Sequence, residues 1–82
     1  MSFELEFSSE AENQLAKLDH KTAELIFKKL QELKSNPFLG KPLKNIFKNK
    51  RSLHIGKYRA IYSIKENKII VARVKHRKRV YK

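Results

Sequence analysis

The sequence predicts one α/β domain of the α+β kind, in which a two-helix hairpin packs on one face of a mainly antiparallel sheet. The length of 82 residues leaves room for a single domain, which we place at 1–82. The spacing of apolar residues changes twice along the chain, from a period of two to helical spacing and back again. The resulting order, β-α-α-β-β-β, is typical of a sheet with helices on one side.

The N-terminal segment predicts a strand followed by a helix. The stretch FELEF at 3–7 alternates apolar and acidic residues, as a half-buried strand does. Ser9 and Glu12 have the spacing of a capping box, in which two side chains satisfy backbone N–H groups of the first helical turn. The apolar face of this helix is expected to consist of Ala11, Leu15 and Leu18.

A second helix is expected to begin directly afterwards, with Asp19 as its N-cap. It ends at Ser35-Asn36-Pro37, because the residue before a proline is driven out of the helical region. Its apolar stripe comprises Ala23, Ile26, Phe27, Leu30 and Leu33. The short connection between the two helices predicts an antiparallel hairpin.

The segment 36–50 predicts an exposed basic loop, since it contains both prolines, Gly40 and four lysines. Three strands follow, at 52–55, 58–64 and 69–75, where the period of two returns. The connections Gly56-Lys57 and Glu66-Asn67-Lys68 are short enough for hairpin turns.

Alternation along these strands assigns their side chains to two faces. The inward set, expected to pack on the helices, is Leu53, Ile55, Tyr58, Ala60, Tyr62, Ile64, Ile70, Ala72, Val74 and His76. The polar members of the outward set are Ser52, His54, Arg59, Ser63, Lys65, Arg73, Lys75 and Arg77, with Ile61, Ile69 and Val71 of the same parity. The helix-free face is therefore expected to be polar and cationic.

The charge of the chain is divided between its two halves. Residues 1–33 contain four lysines and seven acids, whereas residues 34–82 contain sixteen lysines or arginines and one acid, Glu66. The net charge thus changes from −3 to +15. Such a footprint predicts a polyanionic partner: nucleic acid first, an acidic protein second, and a membrane surface third.

Several classes of protein are disfavoured by composition. No cysteine is present, and the acidic, alternating N-terminus differs from a signal peptide. The longest apolar run, 69–72, is too short to span a bilayer, so we expect a cytoplasmic protein that does not bind membranes. The basic half offers only Glu66 as an acidic ligand and its histidines lack metal-ligand spacing, so we expect no metal and no other cofactor.

Metal-free RNA cleavage remains compatible with these residues. The 2′-hydroxyl attacks the adjacent phosphate if one group takes its proton, another protonates the leaving oxygen and cations stabilise the charge. Arg59 suits phosphate because its planar guanidinium binds two oxygens at once. His54 is either a proton-transfer group near neutral pH or a solvated strand histidine. Arg77 and Tyr81, judged from the pattern alone, fit a basic tail and a C-terminal packing residue.

The stretches HIGKYRAIYSI and IIVARVKHRKRVY, together with the strand and two helices before them, resemble the RelE/ParE superfamily of toxins from type II toxin–antitoxin modules. The resemblance covers essentially the whole chain. It implies a fold similar to microbial ribonucleases. It also implies one of two targets, because RelE-type members cleave mRNA on the ribosome without a metal, whereas ParE-type members poison DNA gyrase. Both types are neutralised by a cognate antitoxin.

The resemblance also implies roles for individual residues. Arg59 matches the arginine that holds the scissile phosphate, Arg77 matches a second arginine that stabilises the transition state, and Tyr81 matches a C-terminal tyrosine that stacks on the substrate base or assists proton transfer. The chain departs from the RelE pattern in the second strand, where Ser52 and His54 occupy the positions of two lysines.

The leading hypothesis is therefore a toxin that cleaves mRNA on the ribosome, with Arg59, Arg77, Tyr81 and His54 as catalytic residues. Its expected partners are the ribosome, mRNA and an acidic RelB-like antitoxin. The residues expected to bind RNA or the ribosome are Lys41, Lys44, Lys48, Lys50, Arg51, Ser52, Arg73 and Lys75. The alternatives are a gyrase inhibitor on the same scaffold and a basic nucleic-acid-binding module without toxicity.

Overall fold

A computed structural model describes residues 3–43 and 49–77 of the chain. Lys44, Lys48 and Tyr81, three of the predicted site residues, lie outside these ranges. The elements, in chain order, are β1 (Glu4–Phe7), α1 (Ser9–Ala16), α2 (His20–Gln31), a 3₁₀ turn (Glu32–Lys34), β2 (Lys41–Pro42), β3 (Lys50–Ile55), β4 (Tyr58–Lys65) and β5 (Lys68–His76). In the part of the chain so described, no helix is long and apolar enough to cross a membrane.

The strands form one sheet in the order β1-β5-β4-β3-β2, with β1 parallel to β5 and every other pair antiparallel. This confirms the predicted class and order of elements, but β2 was not expected. The segment 36–50 is not wholly a loop, because Lys41 pairs with Ser52 and Pro42 with Arg51. A proline is tolerated in β2 because it is an edge strand. The strand β3, which pairs with β2, begins at Lys50, two residues before the predicted start.

The predicted cap of α1 was wrong by one residue. The N-cap is Ser8, whose Oγ accepts a hydrogen bond from Ala11 N at 3.0 Å. The same hydroxyl donates to Ala72 O at 2.7 Å, and Ser8 N donates to Val71 O at 2.9 Å. Ser8 is therefore placed by β5, which sequence spacing does not reveal, whereas Ser9 is already the first helical residue and is exposed.

The predicted cap of α2 is confirmed. Asp19 accepts hydrogen bonds from the Thr22 hydroxyl at 2.6 Å and from Thr22 N at 3.1 Å. These bonds, the hydroxyl first, lower the pKa of the Asp19 carboxyl from its ordinary value of 3.8 because they favour the charged form. In the predicted stripe, Ile26, Leu30 and Leu33 are buried.

Phe27 is the exposed member of that stripe. Its side chain is 46% exposed and stacks on Phe7, with 6.0 Å between ring centroids. It thus covers the edge of the sheet instead of entering the core.

A β-bulge overturns the predicted parity in the first half of β5. Ile61 pairs with Arg73 and Tyr62 with Val71, which leaves Ala72 without a partner on β4. One extra residue in a strand reverses the facing of every residue on one side of it. Ile69 and Val71 are therefore the buried residues, not Ile70 and Ala72. After the bulge the predicted parity holds, with Val74 inward and Arg73 and Lys75 outward.

Candidate functional site

The face of the sheet opposite the helices, here called the open face, brings together predicted site residues from three strands. His54 on β3 pairs with Arg59 on β4, and Arg59 pairs with Lys75 on β5. Directly paired residues project from the same face with Cβ atoms about 5 Å apart, so the three side chains form one row across the sheet. Arg59 and Lys75 are half-buried and His54 is exposed.

Arg77 extends this row just beyond the end of β5. Its backbone N donates to Lys57 O at 2.7 Å, which continues the pairing of β5 with the β3–β4 turn. Its Nη1 lies 3.4 Å from Nε2 of His54, and the same Nε2 lies 3.1 Å from Gly56 O. We call His54, Arg59, Lys75 and Arg77 the cationic cluster.

The cationic cluster has no acidic counterpart within the described ranges. The ion pairs found there are His20–Glu24, Lys29–Glu32, Lys68–Glu6 and Arg73–Glu10. Arg59, Lys75 and Arg77 take part in none of them. Cations that are held close together without acids attract an anion strongly, because their mutual repulsion falls when one binds.

A second row on the open face is less basic. Ser52 on β3 pairs with Ile61 on β4, which pairs with Arg73 on β5. Arg73 Nε lies 3.4 Å from Glu10 Oε2, so its charge is partly neutralised by the first turn of α1. Lys41 and Lys50 pair with Ser52 and Ser63, and they therefore add their ammonium groups to this face.

Arg51 does not belong to the open face. It pairs with Tyr62, whose side chain is buried against the helices. Its Nε donates to Gly40 O at 2.9 Å, and its guanidinium lies over the Phe38 ring, 5.1 Å from the centroid. Arg51 thus holds the segment before β2 in place.

A groove lies on the helix side of the sheet, where β4 and β5 extend past the end of α1. Eight helical residues span about 12 Å, whereas the nine residues of β5 span about 30 Å. The uncovered end contains the rings of Tyr58 and His76 in edge-to-face contact, with centroids 5.1 Å apart. The residues that line the groove are Gln14, Lys17, Leu18, Tyr58, Val74, Lys75 and His76.

The sequence model of one protein family, described as the ParE toxin of the type II toxin–antitoxin system parDE, matches residues 5–81. The chain belongs to this family. Its members are toxins of type II toxin–antitoxin systems, and this chain is such a toxin within the RelE/ParE superfamily. No match was found among curated proteins.

Solved structures share the fold of this toxin. The RelBE2 toxin–antitoxin complex from Mycobacterium tuberculosis includes a chain that is 26% identical, with a TM-score of 0.86, over 94% of this chain and 100% of that one. A double mutant of the E. coli toxin RelE in the free state is 20% identical, with a TM-score of 0.81, over 99% and 90%. The chromosomal ParDE system from P. aeruginosa gives 19% identity and a TM-score of 0.76, over 92% and 96%.

Sequence reasoning missed the role of two residues that hold the segment before β2 in place. Tyr62 was expected only to fill the core, but its hydroxyl donates to Pro37 O at 2.7 Å and accepts from Gly40 N at 2.9 Å. Gly40 was expected to lie in an exposed loop, yet it is buried so closely that a Cβ would lie 2.7 Å from that hydroxyl. The one available signal was a glycine two residues before a proline in a segment taken to be exposed.

Proposed function

We propose that this toxin is a ribosome-dependent, metal-independent endonuclease that cleaves mRNA and thereby inhibits translation. The single observation that carries the proposal is the cationic cluster, in which an imidazole and a guanidinium lie 3.4 Å apart beside the pair Arg59–Lys75 on a rigid sheet. Cleavage by the 2′-hydroxyl needs a proton acceptor and cations next to one phosphate. Those are the groups that the cluster presents.

Each member of the cluster has a proposed task. Arg59 binds the scissile phosphate, and Arg77 stabilises the negative charge that develops on it in the transition state. His54 takes or gives a proton. Tyr81, which lies outside the described residues, is proposed from the family resemblance to stack on the substrate base.

The wider basic surface is proposed to hold RNA. Lys41 and Lys50 share the open face with the cluster, and Ser52 offers a hydroxyl between them. Arg73 contributes more weakly because Glu10 is bound to it. Arg51 contributes indirectly, because its hydrogen bond to Gly40 O holds the segment before β2 in place. Lys44 and Lys48 complete the basic segment in the sequence.

The test is cleavage of mRNA on purified ribosomes, measured by primer extension. Wild-type toxin is expected to cut the mRNA without an added metal beyond what the ribosome requires. Arg59→Ala and Arg77→Ala are each expected to slow cleavage by about 10²- to 10³-fold, because each removes a charge that stabilises the transition state.

The matched control is the double variant Lys21→Ala, Lys28→Ala, which removes two exposed cations from α2. It should cleave at the wild-type rate. Intact mRNA with the wild-type toxin, or equal cleavage by an Arg59→Ala, Arg77→Ala double variant, would refute the proposed mechanism.

Inhibition of DNA gyrase is the second candidate, and the match to a family described as ParE toxins favours it. It requires no proton acceptor in the cluster. The deciding measurement is supercoiling by purified gyrase with increasing toxin. Inhibition at a stoichiometric dose, with no mRNA cut on ribosomes, would replace the first proposal by this one.

An acidic antitoxin is the proposed neutralising partner. The M. tuberculosis relative was solved as a toxin–antitoxin complex, and this toxin has a formal net charge of +12 that an acidic protein would offset. The groove beside α1 is the candidate docking place for an apolar anchor, since Lys17 lies there beside the apolar Leu18 and Tyr58.

A further inference from the structure

Nε2 of His54 has two neighbouring groups that require opposite protonation states of this nitrogen. Nε2 lies 3.1 Å from Gly56 O and 3.4 Å from Arg77 Nη1. A carbonyl oxygen only accepts hydrogen bonds, so its bond requires a proton on Nε2. A guanidinium only donates, so its bond requires a bare Nε2. Only one of the two contacts is a hydrogen bond at a given moment.

The Gly56 carbonyl has the stronger hold on this nitrogen. Its distance lies within the usual range for N–H···O bonds, whereas 3.4 Å exceeds it. Gly56 also belongs to the two-residue turn between β3 and β4, which is closed by the pair Ile55–Tyr58, so its carbonyl has little freedom to move away. The Arg77 guanidinium, at the end of a long exposed side chain, turns away at small cost.

We infer that the Gly56 carbonyl holds neutral His54 in the tautomer that carries its proton on Nε2, which leaves Nδ1 as the proton-accepting atom and Arg77 uncommitted. The charged groups that face His54 are Arg59 from β4, Lys75 from β5 and Arg77 beyond it. Among the described residues, no carboxylate is paired with the imidazole to select the opposite tautomer.

The catalytic meaning of this tautomer rests on the proposed function. The 2′-hydroxyl transfers its proton to Nδ1, and the electron pair left on O2′ forms the new O2′–P bond. The P–O5′ bond breaks, O5′ takes a proton from water, and the hydroxide left behind takes the proton from Nδ1. Arg77, which is not bound to the imidazole, is then available to pair with a phosphate oxygen. Gly56 acts as a positioning residue, since its carbonyl touches only the imidazole.

The tautomer is measured directly by NMR on the full chain with ¹⁵N-labelled histidine, at a pH where the imidazoles are neutral. Couplings between ring protons and nitrogens distinguish a protonated Nε2 from a protonated Nδ1. Signals of His54 are identified by their loss in His54→Gln, which separates them from those of His20 and His76. We expect the Nε2–H form in the wild-type toxin and in Arg77→Ala. An Nδ1–H form in the wild type, or a change of tautomer in Arg77→Ala, would overturn the inference.

The catalytic role has its own readout on ribosomes. His54→Gln keeps an amide that reaches Gly56 O but lacks the Nδ1 lone pair, so cleavage is expected to slow by about 10²- to 10⁴-fold. An Nε2–H tautomer together with intact mRNA refutes the nuclease proposal and leaves the tautomer standing. Cleavage together with an Nδ1–H tautomer refutes this inference and leaves the nuclease proposal standing.

Discussion

At the residue scale, the Tyr62 hydroxyl connects the core to the segment that precedes β2. The ring is fully buried, and its oxygen satisfies both a carbonyl, that of Pro37, and an N–H, that of Gly40. Buried backbone groups need such partners because water cannot reach them. Arg51 adds a third bond from the other side of Gly40. The position of Lys41 on the open face therefore depends on a residue in the core.

We expect Tyr62→Phe to lower the free energy of unfolding by about 1–3 kcal/mol, because it leaves two buried backbone groups without a partner. Urea denaturation followed by circular dichroism measures the change. Tyr58→Phe is the control, since Tyr58 is only half-buried in the groove. Equal losses of stability in the two variants would contradict the stabilising role of the Tyr62 hydroxyl.

Gly40 is predicted to tolerate no side chain. In Gly40→Ala the new Cβ would lie 2.7 Å from Tyr62 Oη and 2.9 Å from Ser52 O, and the second atom belongs to a paired strand that cannot yield easily. Overpacking of this kind costs about 1–3 kcal/mol, again measured by urea denaturation.

The comparison for Gly40 is Gly56→Ala, where no atom lies within 4 Å but φ is +58°. Its cost should be about 1 kcal/mol, from backbone strain alone. A Gly40→Ala variant that is as stable as the wild type would contradict the close packing of this segment.

At the scale of elements, the start of α1 and the bulge in β5 depend on each other. β1 pairs with β5 only as far as Val71, and beyond that point α1 covers the exposed edge of β5. Ser8 Oγ donates to Ala72 O, and Gln14 Oε1 accepts from Val74 N at 2.6 Å. Side chains of the helix thus replace the missing neighbouring strand. The bulge determines that Arg73 and Lys75 face away from the helices. The contact between the start of α1 and the bulge therefore determines which cations lie on the open face.

Ser8→Ala is expected to lower the free energy of unfolding by about 1–2 kcal/mol, because it removes the helix cap. The loss of the bond to Ala72 O adds to the effect. Thermal and urea denaturation give the value. Ser9→Ala, one residue along and exposed, should change stability by less than about 0.5 kcal/mol. A larger loss of stability from Ser9→Ala than from Ser8→Ala would show that Ser9 is the N-cap, as the sequence spacing predicted.

At the scale of the whole molecule, charge is separated between an acidic N-terminal half and a basic C-terminal half. The acids of β1 and α1 neutralise Lys68 and Arg73, at the β5 side of the open face. The cationic cluster and the lysines of β2 and β3 lie away from these acids. The separation seen along the sequence is therefore also a gradient across one face of the sheet.

We expect binding of a fluorescent single-stranded RNA to weaken steeply with salt, because binding releases counterions from the phosphates. Each lost phosphate contact reduces the slope of log K against log salt by about 0.7 for a single strand. The double variant Arg59→Ala, Arg77→Ala should therefore reduce it by about 1.4. Fluorescence anisotropy over a salt series measures the slope. An unchanged slope in this variant, or the same reduction in Lys21→Ala, Lys28→Ala, would place the bound RNA elsewhere.

Much of the fold and part of the site follow from local patterns. The helices, the three long strands and the Asp19 cap are encoded by nearest neighbours in the sequence, and so is the inward parity of Leu53, Ala60 and Tyr62. Local periodicity suffices for them because each burial pattern repeats within one element. The association of Arg59 with His54 also follows, since a two-residue hairpin leaves one register between its strands.

Tertiary structure decided the rest. The strand β2, the bulge at Ala72, the Ser8 cap and the bond from Arg51 to Gly40 O all depend on partners that are nine or more residues away in the chain. The sequence by itself determined the class of the domain, its charge and the pair His54–Arg59. Only the folded chain decided that Arg77 meets His54 and that β3 begins as early as Lys50, which places Arg51 on the helix side, because both depend on where one strand ends against another.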